Sequence, residues 1–385
     1  MRALFLCLLA TACTTATTPD AQDFHEAWDQ GVGAYVGLAQ TATQTTADGV
    51  TTYEFDTKSG PMCLRGDPFR MAVRDQKSDD LLIFLQGGGA CWSTFCLAIQ
   101  KAPAGIPHLD VLAPDKATNP FRAWNQVYLP YCDGSMFAGE ADADDNGDGK
   151  LDRQQHGLRN LTAALDVALK QFPHPKRIAL VGSSGGGFGT IPAVLLVRKL
   201  WPDPEILVVQ DSGTGTGKEG DPAFLAKLIS EFKVQRFFAP SCSGCMESAH
   251  LTPLLDWELA RDPKLRVAAF SSYNDSIMSS VFLKVAPENF KKGLLEATTP
   301  LHTAYPDRYK RFLMSGTMHT TMLGDASGLV GNDLTAVTLP PDALEALGTI
   351  ILGHIDETKI GDVTMAAWLA AAVENGAGWQ ELLDK

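Results

Sequence analysis

Basic residues are scarce in this chain: 32 lysines and arginines stand against 45 aspartates and glutamates, which gives a formal net charge of −13. Long-range repulsion of polyanions by such a surface argues against a nucleic-acid partner. Internal repeats and long charge runs are also missing, which excludes a solenoid and a disordered chain. With 385 residues, 45% of them hydrophobic, the chain can bury a full core, so we expect one large domain.

The apolar run that follows Arg2 is too short to span a bilayer permanently. A basic residue, a short apolar run and small residues before Cys13 predict an export signal instead. The segment Ala10–Cys13 also resembles a bacterial lipobox, whose cysteine becomes lipid-modified, although alanine stands where leucine is usual. We expect a leader and tether over residues 1–20 and a single domain over residues 21–385. The protein would then be exported, either as a cell-envelope lipoprotein anchored to the membrane through Cys13 or as a secreted or periplasmic protein.

A second CxxC pair at ligand spacing is missing, which makes a zinc site a weak interpretation of the cysteines. No strand-then-helix pattern frames the one CxxC pair either, so a thioredoxin-like redox role is equally weak. An even number of cysteines in an exported chain favours disulfides. Outside the leader there are six: Cys63, Cys91, Cys96, Cys132, Cys242 and Cys245.

Continuous apolar runs rich in Ile, Leu, Val and Phe recur along the chain and are typical of strands that are buried on both faces of a parallel sheet. They are Leu81–Leu85, Val127–Tyr131, Ile178–Val181, Ile206–Val209 and Val267–Phe270, with a more mixed run, Tyr309–Met314, expected nearer an edge. Helical patterns alternate with them, at Leu158–Phe172, at Phe188–Leu200 and, as a helix or two, at Thr364–Leu383. The alternation predicts an α/β fold, α/β-hydrolase-like, with a mostly parallel central sheet flanked by helices.

A glycine-flanked serine follows the third of these strands. Gly182-Ser183-Ser184-Gly185-Gly186 lies between a strand and a helix, the context that a G-x-S-x-G nucleophile elbow requires. Side chains at the outer glycines would collide with neighbouring backbone, and no lysine follows at the spacing of a phosphate-binding loop. Ser184 is therefore the candidate nucleophile, and Ser183 is expected to face away from the site.

A second glycine cluster, Gln86-Gly-Gly-Gly-Ala-Cys-Trp92, follows the strand Leu81–Leu85. Its position and composition match the loop that supplies oxyanion-hole amides beside an α/β-hydrolase nucleophile. We expect N–H groups of Gly88 and Gly89, together with that of Gly185 from the elbow, to bind the developing oxyanion.

The base and the acid are chosen by chain order, since this fold usually places the histidine last. His319 follows the late strand Tyr309–Met314 and is the candidate base, with His302 and His354 as alternatives. Asp275 ends a strand and polar turn between serine and histidine, where the acid usually lies. Asp211 also ends a strand and remains the competing acid.

An acidic segment between the second and third predicted strands fits the frame of an EF-hand calcium loop. Its oxygen ligands would be Asp144, Asn146, Asp148, the carbonyl of Lys150, and Asp152. Gln155 replaces the usual bidentate glutamate at the twelfth position, so weak, structural calcium binding is expected. A solvated acidic insertion is the alternative. Catalysis itself is expected to require no cofactor.

Taken together, these motifs resemble the pectinacetylesterase and Notum family of carboxylic ester hydrolases, and the chain would be a bacterial member. The resemblance rests on Gln86–Trp92, Leu129–Gly134, His156-Gly157 with Asn160, Gly182–Gly186, Gln210–Gly213, Ser272–Asp275 and His319-Thr320. It implies that Ser184, Asp275 and His319 form the triad and that Gly88, Gly89 and Gly185 supply the oxyanion amides. It further implies the disulfide pairs Cys91–Cys96, Cys63–Cys132 and Cys242–Cys245.

The expected activity is deacetylation of a carbohydrate ester such as pectin through an acyl-enzyme. The chain departs from the family pattern at two places: small Gly89 and Ala90 replace an aromatic or acidic residue, and Thr-Gly-Thr-Gly rather than an aromatic run follows Gly213. Together with the acidic composition, these departures disfavour polyanionic pectin and favour another short acyl ester, such as an acetylated sugar. A lipase or thioesterase on the same fold, and an inactive calcium-dependent surface binding protein, are the alternatives. The expected partner is a small-molecule or carbohydrate ester substrate, and the chain is expected to be a monomer.

Overall fold

The computed structural model describes residues 24–38, 42–322, 337–338 and 352–385. The leader expected over residues 1–20, with Cys13, lies outside the described residues. Within these ranges, no helix combines the length and apolar character that crossing a membrane would require.

A ten-stranded sheet forms the centre of the molecule, in the order β1-β2-β3-β7-β4-β10-β11-β12-β13-β17. Its strands are β1 (Ala42–Ala47), β2 (Val50–Phe55), β3 (Arg70–Arg74), β4 (Asp80–Leu85), β7 (Asn125–Leu129), β10 (Arg177–Ser183), β11 (Glu205–Asp211), β12 (Leu265–Ser272), β13 (Tyr309–Met314) and β17 (Leu382–Leu383). From β7 to β17 every pairing is parallel, whereas β1, β2 and β3 form an antiparallel extension at one edge. The mostly parallel sheet predicted from the apolar runs is confirmed.

Helices cover both faces of this sheet. They are α1 (His25–Asp29), α2 (Gly157–Gln171), α3 (Gly185–Leu200), α4 (Pro222–Phe232), α5 (Thr252–Arg261), α6 (Pro287–Ala304) and α7 (Met365–Val373), with a π-helix at Ile277–Leu283. Alternate residues of β4 enter opposite layers of the core: Leu81 and Ile83 join one apolar cluster, and Leu82 and Phe84 join the other, which includes Trp368 of α7. Burial on both faces explains why the central strands are continuously apolar.

Small sheets lie outside the central one. β5 (Gly89–Trp92) and β6 (Phe95–Ile99) form a hairpin, with β14 (Val337–Thr338) beside β6. β8 (Ala141–Ala143) pairs with β9 (Arg153–Gln155), and β15 (Lys359–Ile360) pairs with β16 (Val363–Thr364). The glycine cluster predicted as a loop therefore leads directly into a strand at Gly89.

Three predicted boundaries were wrong. β7 begins at Asn125 and ends at Leu129, whereas the apolar run predicted a strand over Val127–Tyr131. Its first two residues were missed because they are polar, although both are buried. The helix of the C-terminal segment ends at Val373 and a short strand follows, so the expected helix or two is present over only part of Thr364–Leu383. α3 begins at Gly185 rather than at the predicted Phe188, so Pro192 lies in its interior.

Three disulfides join the six described cysteines as Cys63–Cys132, Cys91–Cys96 and Cys242–Cys245. The first links the segment before β3 to the segment after β7, across 69 residues of sequence. The second closes the β5–β6 hairpin, where Cys91 and Cys96 are register partners. The expectation of disulfides is confirmed.

Candidate active site

The turn between β10 and α3 holds Ser184 in a backbone conformation that side chains rarely adopt, with φ 53° and ψ −121°. Such left-handed strain persists only where surrounding contacts enforce it, and it often marks a functional position. Here the Ser184 N–H donates to the carbonyl oxygen of Asp211 on the neighbouring strand β11, at 2.7 Å. The hydroxyl is thereby raised above the carboxyl edge of the sheet.

Glycine is required on both sides of this turn. A Cβ atom on Gly182 would lie 2.2 Å from the carbonyl oxygen of Gly186, and one on Gly186 would lie 2.1 Å from that of Leu85. Both distances fall inside van der Waals contact with backbone that cannot move aside. The collision predicted from the motif is therefore present at both glycines.

Ser184, His319 and Asp275 form one continuous chain of hydrogen bonds. Ser184 Oγ lies 2.8 Å from His319 Nε2, and His319 Nδ1 lies 2.9 Å and 3.0 Å from the two carboxylate oxygens of Asp275. All three side chains are buried. Because an ionised carboxylate can only accept, Nδ1 carries the hydrogen and Nε2 is free to accept the serine proton.

Asp275 is held by the helix that follows it as well as by the imidazole. Its Oδ1 accepts the backbone N–H groups of Ile277 (3.0 Å) and Met278 (2.9 Å), at the start of the π-helix. These two amides fix the carboxylate so that both of its oxygens remain within reach of His319.

The competing residues bond elsewhere. Asp211 makes no hydrogen bond to His319; its carboxylate accepts from Ser183 Oγ and from the backbone of Thr321 and Met322. Burial raises the pKa of Asp211 to about 6, and the nearby His319 acts in the opposite direction. Ser183, expected only to face away, is therefore bonded within the same cluster.

The two alternative histidines are also engaged away from Ser184. His302 donates from Nδ1 to the Tyr309 carbonyl oxygen and pairs through Nε2 with Glu381. His354 lies in an irregular segment and contacts Asp110 through Nδ1 at 2.9 Å.

Two of the three predicted oxyanion residues border the space above Ser184. Gly89 and Gly185 line the pocket into which Ser184 opens, and a Cβ on Gly185 would lie 2.9 Å from the Gly89 carbonyl oxygen. Gly88 lies beside them but is not part of that lining, and its carbonyl accepts from Ile99 N–H on β6 at 2.9 Å.

An apolar pocket adjoins the nucleophile and was not predicted. It encloses about 610 Å³, including its open mouth. Besides Ser184 and several glycines, its lining consists mainly of aromatic, aliphatic and thioether side chains: Ala90, Trp92, Met136, Phe188, Phe224, Leu225, Leu228, Leu251, Met278, Phe282 and Leu283. These come from the β5–β6 hairpin, α3, α4, the π-helix and two loops. Because these residues are far apart in the sequence, no local pattern predicts the pocket. The helical spacing of Phe224, Leu225 and Leu228 is the one regular feature among them.

The acidic segment proposed as a calcium loop is the tip of the β8–β9 hairpin. Asp144 accepts the N–H groups of Gly147 and Gly149, and Asp152 accepts that of Asp145. Gln155, the twelfth position, turns inward and donates to the Cys91 carbonyl oxygen. Within the described ranges, no group of three or more His, Cys, Asp or Glu side chains is arranged to hold a metal ion. Calcium binding by Asp144, Asn146, Asp148, Lys150 and Asp152 stays a prediction.

Comparison with known proteins finds similarity to one family over part of the chain. Residues 42–217 match the family model described as Pectinacetylesterase. Pectin acetylesterase 4 of Arabidopsis thaliana is 32% identical over 148 residues, which cover 35% of this chain and 36% of the relative. Pectin acetylesterase 11 of the same plant is 24% identical over 231 residues, covering 54% and 58% of the two chains.

Another relative is the palmitoleoyl-protein carboxylesterase Notum of Schmidtea mediterranea, 30% identical over 125 residues, or 29% of this chain and 23% of that protein. The chain thus spans between about a quarter and three-fifths of the lengths of these three relatives. The family match includes Ser184 and the glycine cluster but ends before Asp275 and His319. Over residues 42–217, the chain is therefore similar to the pectinacetylesterase family.

Proposed function

We propose that the protein is a serine carboxylesterase that works through an acyl-enzyme at Ser184. The observation that carries this proposal is the unbroken hydrogen-bond chain from Ser184 Oγ through the imidazole of His319 to the carboxylate of Asp275. Similarity to the family supports it, since the relatives' names include pectin acetylesterases and a carboxylesterase.

The reaction follows from the positions of these groups. Ser184 Oγ attacks the ester carbonyl while His319 Nε2 takes the hydroxyl proton, and Asp275 stabilises the imidazolium that forms. The imidazolium then returns the proton to the leaving alcohol. A water molecule, deprotonated by the same nitrogen, attacks the acyl-enzyme and releases the acid. Backbone amides at Gly89 and Gly185, with Gly88 beside them, would stabilise the oxyanion of each tetrahedral intermediate.

The apolar pocket favours an acyl group larger than acetyl. A single methyl group would leave most of the aromatic and aliphatic lining in contact with water, whereas a longer chain would bury it, at about 0.8 kcal/mol for each CH₂ group. The expected acetyl ester of a carbohydrate remains the second candidate, because two relatives are named as pectin acetylesterases.

Two experiments test this proposal. Fluorophosphonate labelling tests whether Ser184 is a nucleophile, and kinetics with esters of increasing chain length test the size of the acyl group. A fluorophosphonate should label the wild type and the exposed-serine control Ser243→Ala but not Ser184→Ala. A folded wild-type protein that takes no label would contradict the esterase and favour the binding-protein alternative. Among p-nitrophenyl acetate, butyrate, octanoate and palmitate, kcat/KM should be higher for the longer esters than for acetate; a maximum at acetate would favour the carbohydrate acetylesterase.

We further infer that the protein is exported, since disulfides persist in oxidising compartments. The finer proposal, a lipid anchor at Cys13, predicts that the full-length protein enters the detergent phase on phase separation and that Cys13→Ala does not. Equal partitioning of the two would leave secretion or a periplasmic location. A monomer is proposed, and sedimentation of the purified protein would test it.

A further inference from the structure

Asp211 is fully buried and does not belong to the triad. It contacts two parts of the proposed site, the turn that carries Ser184 and the segment that follows His319. It is the last residue of β11, and Ser183 at the end of β10 is its register partner in the parallel pair. Its main-chain carbonyl accepts the N–H of Ser184, and its Oδ2 accepts the hydroxyl of Ser183, both at 2.7 Å. One residue thus contacts the nucleophile turn twice.

The same carboxylate also binds the segment that follows the catalytic histidine. Oδ1 accepts the N–H of Thr321 at 3.0 Å and its hydroxyl at 3.3 Å. Oδ2 accepts the N–H of Met322 at 3.1 Å. Thr321 lies only two residues beyond His319, so these bonds tether the loop on which the imidazole is carried.

The segment that carries His319 has no regular secondary structure to hold it in place. β13 ends at Met314, and residues 317–320 form neither helix nor strand. A buried loop must satisfy its backbone N–H groups with some acceptor. Asp211 supplies that acceptor for two consecutive amides, although burial raises the pKa of its carboxyl to about 6.

We propose that Asp211 is a positioning residue, whose carboxylate holds the His319 loop against the Ser184 turn and so sets the distance between Nε2 and Oγ. The inference rests on the proposed esterase function. Asp275 orients the ring of His319, whereas Asp211 places the backbone from which the ring projects. A misplacement of about 1 Å between reacting groups can reduce a rate about 100-fold, so the effect should appear in the chemical step.

The isosteric change Asp211→Asn isolates this role. Whichever way the amide is oriented, its NH₂ group must face at least one backbone N–H, of Thr321 or of Met322, because the two oxygens of Asp211 serve both. One tether is then replaced by a repulsive donor–donor contact. We expect kcat to fall about 100-fold while KM changes less than about twofold. Asp166→Asn is the matched control: Asp166 is also largely buried and accepts a backbone N–H, that of Gly37, but on α2 away from the site.

Three measurements decide the matter on the full-length protein. They are ester kinetics, the rate of fluorophosphonate labelling, and hydrogen–deuterium exchange of the peptide that contains residues 319–322. In Asp211→Asn the rate of labelling should fall by about the same factor as kcat, and hydrogen–deuterium exchange of that peptide should be faster. Asp166→Asn should show neither change. Unchanged kcat and unchanged exchange in folded Asp211→Asn would overturn the inference, as would a loss confined to KM.

Two weaker variants keep the test decisive if Asp211→Asn does not fold. Ser183→Ala and Thr321→Val each remove one contact to the carboxylate and should each lower kcat several-fold at constant KM; full kcat in both would refute the role. The outcome is separable from that of the esterase proposal. A wild type that takes no fluorophosphonate label contradicts the esterase, whereas a labelled wild type with equally fast labelling of Asp211→Asn contradicts only the positioning role. The exchange measurement tests the tether in either case.

Discussion

The indole of Trp92 and the ring of Phe224 meet edge to face, with their centroids 5.7 Å apart, and both line the pocket beside Ser184. Trp92 follows Cys91 directly, so the disulfide to Cys96 holds one wall of the pocket in place. Phe224 belongs to α4, which begins after Asp221 caps its first turn by accepting the Phe224 N–H. A pocket with walls fixed in this way is preformed, and it can therefore select among acyl groups by size.

Filling the pocket should change acyl selectivity. Leu228 lies on α4 with its side chain in the lining. The larger indole in Leu228→Trp would occupy space that a long acyl chain needs, so kcat/KM for the octanoate ester should fall about tenfold while that for acetate changes little. Steady-state kinetics with the two p-nitrophenyl esters check this. Leu38→Trp, at a residue that is 45% exposed, is the control. Equal losses with both esters would show that the pocket does not hold the acyl chain.

Removing the charge of the triad acid should abolish most turnover. In Asp275→Asn the side chain can no longer hold His319 in the required tautomer, and kcat should fall about 10⁴-fold. A matched control is Asp56→Asn, because Asp56 also accepts a backbone N–H two residues along, that of Lys58, but on the exposed surface. The ester assay is the measurement. Full activity in folded Asp275→Asn would assign the acid role elsewhere, with Asp211 as the first residue to test.

Adding one methyl group to the elbow should destabilise the fold. In Gly186→Ala the new Cβ would meet carbonyl oxygens of Leu85 and Gln86 at 2.1 Å and 2.6 Å. Relief requires β4 to move away from α3, and overpacking of this kind typically costs about 1–3 kcal/mol or more. Thermal unfolding should show a clearly lower midpoint or no soluble protein. Gly376→Ala should remain close to wild type, since its new Cβ would lie 3.8 Å from the Ala371 carbonyl oxygen, at ordinary van der Waals distance. Similar midpoints for both variants would contradict the steric argument.

Stability should depend on pH through Glu258, which is fully buried on α5. Neither of its carboxylate oxygens has a hydrogen-bond partner among the residues that the structure describes. Burial, aided by the charge of Asp262, raises its pKa well above the ordinary value. The unfolded chain therefore releases this proton at lower pH than the folded protein does. The stability associated with the neutral carboxyl is full below the unfolded-state pKa and declines as pH rises toward the folded-state pKa.

Glu258→Gln removes that proton exchange. Compared with the wild type, the variant should therefore gain relative stability between pH 4.5 and pH 8, as measured by urea midpoints at both values. Glu288→Gln, at an exposed position on α6, should show no such trend. A constant difference between the wild type and Glu258→Gln at the two pH values would mean that Glu258 does not titrate differently on folding.

Calcium binding at the tip of the β8–β9 hairpin can be measured directly. If the loop binds calcium, calorimetric titration should give heat with a Kd in the weak range of about 10⁻⁴ to 10⁻³ M. Asp148→Ala should remove that heat, and Asp203→Ala, at an exposed residue elsewhere, should retain it. The absence of heat in the wild type would leave the segment as a solvated acidic turn.

The sequence predicted the sheet and the backbone geometry of the elbow better than it predicted what surrounds them. Central strands buried on both faces are marked by their apolar composition, and the requirement for glycine at positions 182 and 186 follows from local backbone geometry. β7 shows the limit, because its first residues are buried polar groups whose partners lie far away in sequence. Asn125 accepts the N–H of Gln76, for example, which no local pattern reveals.

The same limit explains the parts of the site that were missed. Asp211 was considered only as a rival acid, because its bonds to Thr321 and Met322 span more than 100 residues of sequence. The pocket assembles side chains from segments between Ala90 and Leu283, each of which looks like ordinary core. Long-range contacts of this kind have no periodicity, so they became visible only in three dimensions.

The link between Cys63 and Cys132 has a practical consequence for producing the protein. It closes the largest of the three covalent loops, and β3, β4 and β7 all lie within that loop. In a host cytosol rich in glutathione these two thiols would stay reduced, and the sheet would have to assemble without the disulfide. Recovery of correctly folded protein should therefore depend on the redox state of the compartment in which the chain is made, even where the amount of polypeptide does not.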